Sequence, residues 1–169
     1  MAGILHAPRR RMATAAEINR ISEQIIGAAV QVHRRIGPGC LESAYSPCLA
    51  VELQKRGLDF STQVALTLRY DELVIHRAYQ ADFIVENEVV IEVKALATVG
   101  QRERRQLQTY LELEGFPLGL LLNFGATRLV DGIKRVVNHF PEGTRGASGH
   151  KASTQPNCLR DLCSSASSA

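Results

Sequence analysis

Apolar residues first recur at three- and four-residue steps. Ile18, Ile21, Ile25, Ala28, Ala29, Val32 and Ile36 draw one stripe along a helix. Thr14 ahead of the stripe and Glu17 three residues later carry the signature of a capping box. Gly37-Pro38-Gly39 ends the helix, because glycine suits a left-handed cap and proline cannot continue the hydrogen bonding. A second stripe of Leu41, Ala44, Tyr45, Cys48, Leu49 and Leu53 predicts a second helix that stops at Gly57. Pro47 leaves two readings open. In a helix interior it costs about 3 kcal/mol through a lost hydrogen bond and a ring clash. The helix is therefore either kinked at Pro47 or starts late, with Ser46 as N-cap and Pro47 as its first residue.

The period then shortens to two. Val64, Leu66 and Leu68 alternate with Ala65, Thr67 and Arg69 ahead of a turn at Tyr70-Asp71, and two more strands follow near 73–85 and 89–95. Helix formers fill 102–114, with Leu107 and Leu111 four apart and Gly115 as the stop. The nearly unbroken apolar run 118–124, with Gly119 inside it, predicts a buried strand, and a last strand is expected over 129–137. The order α-α-β-β-β-α-β-β predicts an α/β domain with a mixed sheet over residues 15–140. Segments 1–14 and 141–169 are too poor in large apolar residues to offset their ordering entropy, and disordered tails are expected there.

Composition narrows the class without naming a function. A chain of 169 residues is about one domain long. Its 45% hydrophobic and 22% charged residues exclude a wholly disordered chain and a coiled coil. No apolar run approaches the roughly 20 residues of a membrane span, so no membrane association is expected. The formal charge of +3 permits an anionic partner without demanding one. Cys40, Cys48, Cys158 and Cys163 show no C-x-x-C spacing and are expected to be reduced bystanders. No apolar core follows Arg9, Arg10 and Arg11, so a signal peptide is not expected and the cytoplasm is the expected location.

Candidate chemistry lies on the middle hairpin. Glu92 and Lys94 are two apart on one strand and share a face, while Ile91, Val93 and Ala95 point the other way. On the strand before it, Ala81, Phe83 and Val85 take the core face and leave Asp82 opposite. A three-residue loop of Glu86, Asn87 and Glu88 aligns Asp82 with Glu92; a two-residue loop slips the register and scatters the charges. Two carboxylates about 5 Å apart at Cβ repel unless a divalent cation lies between them. Hard oxygen ligands suit Mg²⁺ or Mn²⁺ better than zinc, and a neighbouring lysine can orient an attacking water or offset charge on a phosphate. A charged solvated sheet face is the competing reading of the same spacing.

Gly39-Cys40-Leu41-Glu42-Ser43-Ala44-Tyr45 carries the G-x-x-E-x-x-Y pattern. Together with Asp82, Ile91-Glu92-Val93-Lys94-Ala95, Gln106, Tyr110 and Leu122-Asn123-Phe124-Gly125, it makes the chain resemble the GxxExxY family of small bacterial and archaeal proteins. That family is placed in the PD-(D/E)XK nuclease-like superfamily, so the resemblance implies a mixed central sheet flanked by helices. It implies Asp82 and Glu92 as carboxylates for Mg²⁺ or Mn²⁺, Lys94 as the catalytic lysine and Glu42 as a helix-borne acid completing the site. Gln106 and Tyr110 resemble a Q-x-x-x-Y element of RecB-like members, one helical turn apart. Arg102-Glu103-Arg104-Arg105 stands where a His-containing segment is usual, adding positive charge beside the expected site. Two functions are implied: a metal-dependent nuclease acting on DNA or RNA, or an accessory module that binds nucleic acid or protein without hydrolysis.

Overall fold

A computed structural model of the chain describes residues 13–141. Most of the two expected tails, and Cys158 and Cys163, lie outside the described residues. Helix α1 (Ala15–Ile36) opens with the expected capping box: Thr14 N–H donates to Glu17 Oε2 at 2.8 Å, and Glu17 N–H donates back to Thr14 Oγ1 at 3.3 Å. Gly37, at φ 67, ends it. Helix α2 (Glu42–Lys55) starts at Glu42 and includes Pro47 in its interior, so the late start does not occur. Ser46 Oγ donates to the Glu42 carbonyl at 3.3 Å in the turn just before the proline. Leu41, expected on the buried stripe, is instead the N-cap and is 76% exposed.

Five strands follow in spatial order β1 (Phe60–Tyr70), β2 (Leu73–Val85), β3 (Val89–Lys94), β4 (Leu118–Asn123) and β5 (Ile133–Val137). All neighbours pair antiparallel except β3 and β4, whose parallel pairing needs the crossover supplied by α3 (Gln101–Glu114). The expected last strand over 129–137 divides in two. Leu129–Gly132 forms a single helical turn, α4, before β5 begins. Leu129 is buried there, and a Cβ on Gly132 would fall 2.4 Å from the Asn123 carbonyl, so the turn lies flat against the end of β4.

The sheet buries both faces. On one, α1 and α2 cover Phe83, Val85, Ile91, Val93, Leu120 and Leu122. On the other, Leu107, Tyr110 and Leu111 of α3 pack with Leu66, Val90 and Leu121. This double cover explains the unbroken apolar runs of β3 and β4. Gly119 lets α3 come close: a Cβ there would stand 2.8 Å from Leu107. Ala81, expected to share a face with Phe83 and Val85, joins the α3-side cluster instead.

Two local devices fix the sheet edge where β3 ends. Asn123 Oδ1 accepts from Leu96 N–H at 2.9 Å and Gly125 N–H at 3.2 Å, while its Nδ2 donates to the Leu96 carbonyl at 2.8 Å. The Tyr45 ring stacks on Phe124 with centroids 4.5 Å apart. Its hydroxyl donates to the Gly37 carbonyl at 2.8 Å and accepts from Cys40 N–H at 3.1 Å. The loop between α1 and α2 is thereby tied to the core beside Glu42. No helix among the described residues is long and apolar enough to cross a membrane, and Cys40 and Cys48 are free thiols. Tyr45→Phe keeps the ring stack and strands two backbone groups, so urea unfolding should report a loss of about 1–2 kcal/mol.

Candidate active site

The β2–β3 hairpin has the three-residue loop that aligns its charges. Phe83 pairs with Ile91, Ile84 with Val90 and Val85 with Val89 across Glu86, Asn87 and Glu88. Glu86 and Asn87 make the turn at φ 51 and 54. The ladder stops one residue short of Asp82. From there Asp82 Oδ2 accepts the Val93 N–H at 2.8 Å, so a side chain takes the place of a backbone partner where β2 leaves β3. Asp82 Oδ1 accepts from Gln63 Nε2 at 3.0 Å. Gln63 lies in β1 at φ 52 and belongs to the site's supporting contacts. Sequence reading missed it, because a lone glutamine in a strand carries no signal of this role.

Glu92 is 4% exposed. Its Oε1 accepts from Lys94 Nζ at 2.7 Å, two residues along the same strand. Its Oε2 is buried and has no hydrogen-bond partner among the described residues. Burial raises the Glu92 carboxyl to about 7; the Lys94 hydrogen bond opposes that rise, and the negative charges of Asp82 and Glu42 reinforce it. For Lys94 burial works against the ammonium, yet the Glu92 hydrogen bond and the charges of Glu92, Glu42 and Asp82 outweigh it and hold the pKa above the ordinary lysine value. Lys94 is therefore cationic at neutral pH.

The helices bring in the other expected residues. Glu42, first in α2, accepts the Ala95 N–H on Oε1 at 3.2 Å, immediately past Lys94. Gln106 and Tyr110 face the sheet side of α3, and Gln106 Nε2 donates to the Tyr110 hydroxyl. Tyr110 is 2% exposed, with its ring 5.5 Å from that of Tyr79. Burial and the neighbouring charge of Glu92 push its phenol up to about 12, against the Gln106 hydrogen bond, so it keeps its proton across the physiological range. Asp82, Glu92, Lys94, Glu42 and Tyr110 thus act on one another electrostatically, and Gln106 joins them through Tyr110. Among the described residues, no three His, Cys, Asp or Glu side chains form a ready-made metal cage. Arg102, Arg104 and Arg105 are exposed on α3, and Glu103 between them is engaged by the Gly100 N–H at 2.8 Å.

Metal-free stability should carry the imprint of Glu92. Between its unfolded value of 4.5 and its folded value of about 7, the folded protein holds a proton that the unfolded chain has released. Stability therefore falls as pH rises through that window and levels off above it. Urea unfolding in metal-free buffer should show a decline of roughly 3 kcal/mol from this group. Glu92→Gln should flatten it; equal slopes in the two proteins would refute the assignment.

A family model described as the PD-(D/E)XK nuclease superfamily matches residues 19–136, from α1 into β5 and across all six expected site residues. No curated protein and no solved structure gives a match. With a mixed five-stranded sheet between helices and a family match over well more than half its length, this chain belongs to the PD-(D/E)XK nuclease superfamily.

Proposed function

We propose that the chain is a Mg²⁺- or Mn²⁺-dependent nuclease that hydrolyses phosphodiester bonds of DNA or RNA, with Asp82 and Glu92 holding the ion. The observation that carries this reading is the buried Oε2 of Glu92, unpartnered among the described residues, beside an ion-paired Lys94. A buried carboxylate oxygen without a partner is costly, and a hard cation relieves that cost. Mg²⁺ commonly takes one or two protein carboxylates and completes its shell with water and substrate phosphate, so a full protein cage is not required. Asp82, Glu92 and nearby Glu42 offer only oxygen donors, which fits such an ion and not zinc. A bound divalent ion supplies charge neutralisation and Lewis-acid polarisation at a phosphodiester oxygen.

The chain's own groups supply the rest. Lys94, held protonated, serves as a hydrogen-bond donor and positive charge toward the negative charge that grows on phosphate as water attacks and the ester P–O bond breaks. Glu42 adds a third carboxylate at the start of α2, where its hydrogen bond to Ala95 N–H fixes it relative to Lys94. Tyr110 accepts from Gln106 and so retains its own O–H for donation to substrate or water. Gln63 and the Val93 N–H orient Asp82. The exposed arginines of α3 favour a polyanionic ligand over a neutral one.

Titration calorimetry with Mn²⁺ should detect binding to the wild type, weakened at least about tenfold in Asp82→Ala and in Glu92→Ala. Lys94→Ala should keep the ion and lose about 10²–10³-fold in nicking of plasmid DNA or cleavage of RNA. Absence of Mn²⁺ binding, or nicking that is unchanged in Asp82→Ala and Lys94→Ala, would remove the hydrolase reading. Nucleic-acid binding that survives loss of both carboxylates without any cleavage would favour the accessory module.

A further inference from the structure

The β1–β2 ribbon outruns the rest of the sheet. Among the described residues β2 pairs with β3 only over 83–85, whereas its pairing with β1 continues to Tyr70 opposite Leu73. The register shifts past Leu66, where β2 has a bulge containing Arg77 at φ 57. Beyond it Leu68 stands opposite Ile75 and Tyr70 opposite Leu73. Residues opposite in an antiparallel pair, or two apart in a strand, share a face. Leu68, Tyr70, Leu73 and Ile75 therefore line one side of the ribbon.

Three of these four lie largely in solvent: Tyr70 is 62% exposed, Leu73 56% and Ile75 40%. Leu66, two residues earlier in β1, is buried in the α3-side core. The exposed patch is thus the same alternation carried past the end of its cover. A two-stranded ribbon with neither a third strand nor a packed helix is marginal in water, and contiguous exposed apolar side chains mark an interaction surface.

Charge selects the partner. Asp71 and Glu72 form the turn at one end of the patch, and Arg77 occupies the bulge at the other. None of the three has an ion pair among the described residues. An antiparallel two-fold axis would set the acidic end of one ribbon on the basic end of another and the apolar middle on itself. That self-complementarity is what an isologous interface requires, whereas a nucleic-acid backbone would meet two carboxylates and four apolar side chains against the one arginine, Arg77. We propose that the chain pairs with a second copy of itself through this ribbon face, independently of the metal chemistry above.

Sedimentation velocity on the full chain over a concentration series tests the proposal. The wild type should sediment as a dimer, and Leu73→Glu, a change at an exposed position, should give a monomer with an unchanged circular dichroism spectrum. Arg77→Glu and Glu72→Arg should each weaken the dimer about tenfold or more, and the two together should restore it. A wild type that stays monomeric throughout overturns the proposal. So does a dimer insensitive to Leu73→Glu, or a double reversal as weak as the single ones.

Discussion

The structure is organised around one uncompensated atom. Glu92 sits in an interior strand of the sheet, with one carboxylate oxygen bound to Lys94 and the other facing no donor among the described residues. A fold selected for stability alone would have an apolar side chain here, since a lone buried carboxylate oxygen is unfavourable and a buried ion pair rarely recovers its desolvation cost. Asp82 and Glu42 deepen the imbalance, because both raise the Glu92 carboxyl further. Everything around them is built to keep that arrangement from collapsing.

Support comes from three directions. Beneath the strand, Val90 and Leu121 pack on Leu107 and Leu111 of α3, and Gly119 allows that helix to approach closely. Above it, Ile91 and Val93 lie under α1 and α2. At the strand's end, Asn123 grips Leu96, and Tyr45 anchors the loop that presents Glu42. A site strained in this way is kept by rigid neighbours rather than by its own energetics.

Much of this was legible in the sequence for identifiable reasons. The helix stripe of Ile18 to Ile36, the capping box and the length of the β2–β3 loop are local signals, and local signals set the hairpin register that aligns Asp82 with β3. The resemblance that linked Glu42, Gln106 and Tyr110 to the hairpin gathered residues that spacing alone could not join, and the structure brings them together. What escaped was tertiary. Pro47 stays helical because α2 is packed on α1 and the sheet, which overrides its propensity. The strand expected from 129 onward yields its first turn to α4 because Leu129 reaches the core and Gly132 must pass close to Asn123. Ala81 leaves the face of Phe83 where β2 parts from β3, a departure that no alternation pattern records.

The parallel pairing of β3 with β4 has a consequence for biosynthesis. Glu92 and Lys94 cannot acquire their enclosed surroundings until α3 and β4 have emerged from the ribosome, since β4 supplies the neighbouring strand and Asn123 fixes its exit. Contacts of such sequence separation form late in folding. A nascent chain therefore carries its acidic hairpin in open water until residues 101–123 have joined the sheet.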